Sequence, residues 1–197
     1  MDLSPYVPSV IDQGNLGTCV GVSTTYYMRT IMEAYRLGIT NKDSIDALRY
    51  SPSFLYNAIK GKTDVHCQQG TQIEAALEYL KNNGVARFSE QGYPHCVTNK
   101  PLTISASSKI LDFVKLFGFN FLEENKVPAM KKALAEGSPV IVGIHTTNSL
   151  ERLGNNIFWK KLWRQICAFL VSKPCKKWGF GNPKNREVYA QAMQYVW

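Results

Sequence analysis

A glutamine, two glycines and a cysteine come together in Asp12-Gln13-Gly14-Asn15-Leu16-Gly17-Thr18-Cys19, and a long proline-free run follows at 20–37. This junction constrains the fold more than any other feature of the chain. In the run, Val22, Tyr26, Ile31, Ala34 and Tyr35 share one face at helical spacing, so Cys19 is expected to begin a buried helix. Gly14 and Gly17 let the preceding loop turn tightly and bring backbone close to whatever packs on it.

The residue types suit nucleophilic chemistry. A free thiol with a pKa of about 8.5 is mostly protonated at neutral pH, and the thiolate is the nucleophile. A helix N-terminus favours the thiolate through its dipole and its unpaired N–H groups. The Gln13 amide and the Cys19 backbone N–H are two candidate donors to an oxyanion. The plain alternative is that Cys19 is only a small buried apolar residue.

Further segments follow the junction in a telling order. Tyr6-Val7-Pro8-Ser9-Val10-Ile11 leads into Asp12-Gln13, and Ser51-Pro52-Ser53-Phe54-Leu55-Tyr56 opens a later helix. Cys67-Gln68-Gln69-Gly70-Thr71 precedes Ala75-Ala76-Leu77, and Gly84-Val85-Ala86 precedes Tyr93-Pro94. The stretch 132–144 reads as helix, glycine, proline, then buried strand. Taken together, residues 5–150 resemble the papain-like (C1-type) cysteine peptidases, in a bacterial-like form.

The resemblance implies an α+β, two-lobed fold with a helical left lobe and a β-barrel-like right lobe. It implies peptide-bond hydrolysis through an acyl-enzyme on Cys19, with Gln13 at the oxyanion. Gln69 and Gly70 would line the substrate cleft. Peptide or protein is the expected partner, and no cofactor or metal is expected. By this resemblance the peptidase domain covers 1–157, with the helical lobe at about 12–105 and the start of the β lobe at about 106–157.

Two departures are mild. Leu16 stands where the family usually has a cysteine, so no disulfide is expected between the nucleophile loop and the Cys67 region; Val20 replaces an aromatic. A third departure touches catalysis, because the family's histidine lies roughly 130–150 residues after the cysteine and an asparagine orients it. The chain has three histidines. His66 and His95 fall in left-lobe loops. His145 follows Cys19 by 126 residues but comes directly after the strand at 139–144. It is either the base or a residue at a strand end near the cleft. The family's later histidine and asparagine signatures are absent, so the alternative function is a non-catalytic papain-fold protein that binds peptides or a partner.

Charge marks where the departure begins. Residues 158–197 hold 8 Lys+Arg against the single acid Glu187, so +7 of the chain's +8 lies there, together with all 4 tryptophans. The right lobe is therefore expected to be incomplete or altered after about residue 157, with 158–197 a basic, Trp-rich divergent tail. Its readings are a solvated face, a membrane-surface segment, a nucleic-acid footprint, or a replaced or frame-shifted end. Nucleic acid is not the expected partner.

At 197 residues the chain suits one two-lobed domain. No apolar run reaches the ~18 residues of a membrane span. The start Met1-Asp2-Leu3-Ser4-Pro5 lacks signal-peptide character, so a cytoplasmic location is expected. Reduced thiols are then expected over a Cys67–Cys96 bridge. No cysteine or histidine spacing suits zinc.

Periodicity and breakers predict a strand at 6–11, a helix at 19–37, a linker at 38–50 with room for a short turn, and helices at 52–60 and 71–83. A strand is expected within 109–121, a helix at 127–136 opened by Pro128, and a buried strand at 139–144. No element is assigned after Ile157.

Overall fold

A long uninterrupted helix needs a sequence free of proline, and the run after Thr18 supplies one. The computed structural model describes residues 2–96, 108–117, 123–144 and 190–196. Two units are distinguished, one built on Pro5–Phe113 and the other on Val114–Gln194.

In the first unit a continuous helix, α1 (19–37), begins at Cys19 and stops at Gly38, whose φ of 66° is left-handed. The stop is hydrogen-bonded as such ends usually are, with Ile39 N–H donating to Ala34 O at 2.9 Å. Its middle, Val22–Arg29, is π-helical. The hydroxyls of Ser23, Thr24 and Thr25 donate to the carbonyls of Cys19, Val20 and Gly21 at 2.7–2.8 Å. Three successive side chains competing for the carbonyls four residues back favour the wider turn. The sequence predicts the helix but not this widening.

Three further helices pack around α1. Asn41 caps α2 (Lys42–Ala47) by accepting from Ser44 N–H at 3.0 Å, so the stretch expected to be a linker contains a helix. Ser51 caps α3 (Pro52–Ile59) by accepting from Phe54 N–H at 3.0 Å. α4 (Ile73–Asn82) buries Ala76, Leu77 and Leu80 as its spacing predicts. A Cβ placed on Gly21 would lie 2.8 Å from Pro52 O, so α1 and α3 meet backbone to backbone.

Residues 6–11 are not a strand. Ser4–Tyr6 is a short 3₁₀ turn, and the segment after it is held by side chains instead of a ladder. Ser9 donates to Asp46 through both its N–H and its hydroxyl. Tyr26 OH donates to Ser9 O at 2.8 Å, and Lys42 Nζ to Val7 O at 2.8 Å. With those groups satisfied elsewhere, the apolar alternation has no partner strand to pair with.

Charge is buried at the centre of this unit. Arg29 Nη1 lies 2.9 Å from Glu33 Oε2, and the two residues are 1% and 5% exposed. Arg36 and Arg87 reach Glu33 Oε1 at 3.2 and 3.6 Å. The guanidinium groups of Arg29 and Arg87 sit 4.7 and 4.2 Å from the centre of the Tyr50 ring. Burial is the largest influence on Glu33 and opposes its ionisation. The hydrogen bonds and charges of Arg29, then Arg36, outweigh it and hold the carboxyl below its usual range.

β1 (Asp112–Phe117), β2 (Val140–Ile144) and β3 (Ala190–Val196), which fall mostly in the second unit, form one sheet in the order β1-β3-β2. β2 and β3 pair antiparallel, from Val140 opposite Gln194 to Ile144 opposite Ala190. The strand expected within 109–121 is β1, and β2 matches the strand expected at 139–144. β3 lies in the basic stretch to which the sequence alone assigns no element. Helix α5 (Glu123–Ala135) packs Met130 and Ala133 on Phe117 and Val140. It starts before Pro128 instead of being opened by it: Pro128 lies inside the helix, where it gives up its own hydrogen bond and crowds the carbonyl four residues back, in the first turn.

Because Glu33 is held low, its contribution to stability is present above its ordinary pKa, near 4.5, and is lost as pH falls through the lowered folded value. Urea titrations between pH 3 and 6 should show stability falling with acidification less steeply in Glu33→Gln than in the parent chain. Near pH 6 the variant is expected to be weaker by about 3–5 kcal/mol, because the buried Arg29 loses its carboxylate, and the gap should narrow toward pH 3.

Candidate active site

The nucleophile loop folds on its own side chains. Gly14 takes a φ of 59°, and its N–H donates to Asp12 Oδ1 at 2.9 Å, so Asp12 makes the turn that the glycine permits. Gln13 Nε2 donates to Leu16 O at 2.6 Å, which uses one of its two N–H groups. Cys19 is the first residue of α1, and its thiol is free and exposed. The reading of Cys19 as a small buried residue therefore fails.

Tyr93 closes the loop. Its hydroxyl donates to Gln13 O at 2.8 Å and lies 2.6 Å from Thr18 Oγ1. A phenol has one hydrogen, so with that hydrogen on Gln13 O, Thr18 must be the donor to Tyr93. Thr18 is 2% exposed, and the pair fixes the residue just before the nucleophile. Burial chiefly, with smaller contributions from the charges of Asp12 and Cys19, raises the Tyr93 pKa against the lowering effect of Thr18.

The loop at 67–70 is built from α3. Tyr56, 1% exposed, donates to Asp64 Oδ2 at 2.5 Å, and its oxygen accepts from Gly70 N–H at 3.0 Å. Asp64 also accepts from the N–H groups of Gln68 at 2.9 Å and Gln69 at 3.4 Å. Burial first, then the hydrogen bond to Asp64, push Tyr56 up to about 12, with a minor contribution from the charge of Cys19. Cys67 adopts a φ of 55°, a backbone that costs a non-glycine residue roughly 1–2 kcal/mol.

The two loops meet at Gly17. Its N–H donates to Cys67 O at 2.7 Å. A Cβ at position 17 would stand 2.6 Å from Gly70 N and 2.9 Å from the carbonyl of Gln68. The structure therefore brings Cys19, Gln13 and Gly70 into one neighbourhood. Gln69 is exposed beside them, held by its backbone to Asp64.

Cys67 is bonded to Cys96, which corrects the expectation of reduced thiols. Their Cα atoms stand 5.9 Å apart, within the usual span of a disulfide. That approach belongs to the fold, and nothing local to either cysteine announces it. As expected from Leu16, the bond does not reach the nucleophile loop.

His66 and His95 are exposed. His95 is tied by its backbone, donating to Ser53 Oγ at 3.0 Å and accepting from Asn57 Nδ2 at 3.0 Å. His145 lies outside the described residues. Among the described residues, no group of three His, Cys, Asp or Glu side chains is placed to hold a metal ion, and no helix is long and apolar enough to cross a membrane. Sequence reasoning missed Tyr56, Asp64 and Thr18 as the supports of the site. Tyr93 was visible only as half of a Tyr-Pro pair.

Comparison with known proteins gives a family and a fold. The profile of the papain family cysteine proteases matches residues 2–190. Among solved structures, digestive procathepsin L 3 from the larval midgut of Tenebrio molitor is similar, with a TM-score of 0.55 at 18% identity. That match covers 79% of this chain and 47% of the other, so this chain spans about half of the neighbour's length. No curated protein matches.

The glycines at 14 and 17 should respond differently to alanine. Gly14→Ala meets no atom within 4 Å and suffers only its left-handed φ, a cost of about 1–2 kcal/mol. Gly17→Ala collides with backbone that cannot move aside as a side chain would, and is expected to cost about 3 kcal/mol. The urea midpoints of the two variants check the order, and a Gly17→Ala midpoint at or above that of Gly14→Ala would refute the close approach.

Proposed function

The chain belongs to the papain family of cysteine proteases, and from that premise we propose that it hydrolyses peptide bonds through an acyl-enzyme formed on Cys19. The observation that carries the reading is an exposed thiol at the first residue of α1, seated beside a loop whose backbone is pinned at 67–70.

In this reading the Cys19 thiolate attacks the carbonyl carbon of the scissile peptide, and the negative charge passes to the carbonyl oxygen. The Cys19 backbone N–H has no helical carbonyl before it to bond, as at any helix start, and it donates to that oxygen. The remaining N–H of Gln13 is the second donor. Fixed donors of this kind act without reorganising, which is why each is worth a large factor in rate. Gln69 and Gly70 form the adjoining wall, where an extended peptide lies along the backbone of the pinned loop.

Collapse of the tetrahedral intermediate needs an acid to protonate the leaving amine, and water then releases the acyl group with help from the same group acting as base. His145 is proposed for this role on its 126-residue separation from Cys19. Peptide or protein is the substrate class proposed, and the chemistry calls for no cofactor.

The test is the pH dependence of Cys19 alkylation by iodoacetamide, with Cys19→Ser as the control. Rapid labelling that persists below pH 6 is expected, because a basic partner keeps the thiolate populated. Labelling that rises only above pH 8 would overturn the peptidase reading and favour a papain-fold protein that binds peptides without cleaving them. On a peptide substrate, Gln13→Ala should lower kcat by about 10²–10³ with little change in KM.

A further inference from the structure

The two sulfurs of the disulfide occupy unequal positions. Cys67 is 1% exposed, and its carbonyl is committed to Gly17. Its Sγ lies 3.4 Å from Lys60 Nζ and 3.6 Å from Asn57 Oδ1. Cys96 is half-buried and follows Pro94 and His95, both exposed. Its Sγ lies 3.5 Å from the carbonyl of Val65, itself 65% exposed, and 3.9 Å from Lys60 Nζ. Lys60 Nζ is steadied by Asp64 O at 2.8 Å, and it stands against both sulfurs, closer to that of Cys67 than to that of Cys96.

Thiol–disulfide exchange depends on which sulfur can be reached and on how well the other leaves as a thiolate. A buried thiolate in apolar surroundings leaves poorly, whereas one beside an ammonium leaves well. Here the reachable sulfur is on Cys96 and the ammonium is nearest Cys67, so both factors select the same direction of cleavage.

We propose that Cys96 is a thiolation site, at which a low-molecular-weight thiol exchanges with the Cys67–Cys96 disulfide while Cys67 departs as a thiolate against Lys60. The incoming thiolate forms a new S–S bond to Cys96 Sγ. The old S–S bond breaks, and its electron pair goes to Cys67 Sγ. The incoming sulfur is oxidised to the disulfide level and Cys67 is reduced, so no further oxidant or reductant enters. When Cys67 later takes up a proton, Asn57 Oδ1 is the acceptor placed to receive its S–H. Exchange removes a covalent tether from the loop that abuts Gly17, two residues from Cys19. The inference does not depend on Cys19 being catalytic.

The experiment incubates the full chain with reduced glutathione, blocks free thiols with iodoacetamide, and maps the cysteine peptides by mass spectrometry. The glutathione adduct is expected on Cys96, with Cys67 carrying the alkyl group. Lys60→Gln should slow exchange on the order of tenfold, while Lys60→Arg and the equal-charge control Lys62→Gln should stay near the parent rate. An adduct on Cys67, or a Lys60→Gln rate equal to that of Lys62→Gln, overturns the proposal. The position of the adduct in the unaltered chain decides the matter whether or not any variant folds.

Discussion

The hydrogen bond from Gly17 N–H to Cys67 O at 2.7 Å is the contact on which the site depends. It forms because position 17 lacks a Cβ, which would stand 2.6 Å from Gly70 N. The acceptor is in place because Tyr56 and Asp64 collect the backbone N–H groups of residues 68–70. A line of constraint thus runs from the buried face of α3, through one carboxylate, to the loop that carries Cys19. Related proteases usually place a cysteine where this chain has Leu16. A backbone hydrogen bond between two glycine-bearing loops joins the same two segments here without a covalent link.

The helix behind the nucleophile is anchored by an uncommon core. Arg29, Glu33 and Tyr50 are all buried, and burying charge is costly unless it is paired and hydrogen-bonded. Here it is paired: Glu33 receives three arginines, and two of them also lie over the Tyr50 ring. Such a cluster tolerates little rotation of α1 about its axis, since each guanidinium has one useful geometry. The π-helical stretch lies between that cluster and Cys19, so the register of the N-terminal turn relative to the buried charges is set by the hydroxyls of residues 23–25.

What the sequence disclosed was what has a period or a fixed spacing. The helices at 19–37, 52–60 and 71–83 and the strand at 139–144 show their apolar repeat locally, and Cys19 with Gln13 shows a short ordered motif. The strand expected at 6–11 failed because its donors and acceptors are captured by Asp46, Tyr26 and Lys42, contacts that no local pattern announces. Helix α2 is six residues long and rests on one cap, so its period is too brief to see. The supports of the site were hidden for the same reason: Tyr93 meets Thr18 and Gln13 from 75 and 80 residues away. The partnership of Cys67 with Cys96 likewise depends on a fold-level approach, which composition and the character of the first residues could not report. β3 is a strand whose place becomes evident only beside β2.

The hydroxyl network also determines what a pH profile of this protein reports. Thr18 donates to Tyr93, which donates to Gln13 O, so the loop is held only while Tyr93 keeps its proton. Burial raises the Tyr93 pKa, and burial with the Asp64 hydrogen bond takes Tyr56 to about 12. Both phenols therefore stay protonated well past neutrality, and the geometry around Cys19 is constant across the range in which a thiol and an imidazole titrate. The carboxylate in the second network, Asp64, is held below its usual range chiefly by the Tyr56 hydrogen bond, so it is already ionised at the acid end of that range. Between pH 5 and 8, therefore, neither of the two networks that present the Cys19 thiol contains a group that titrates.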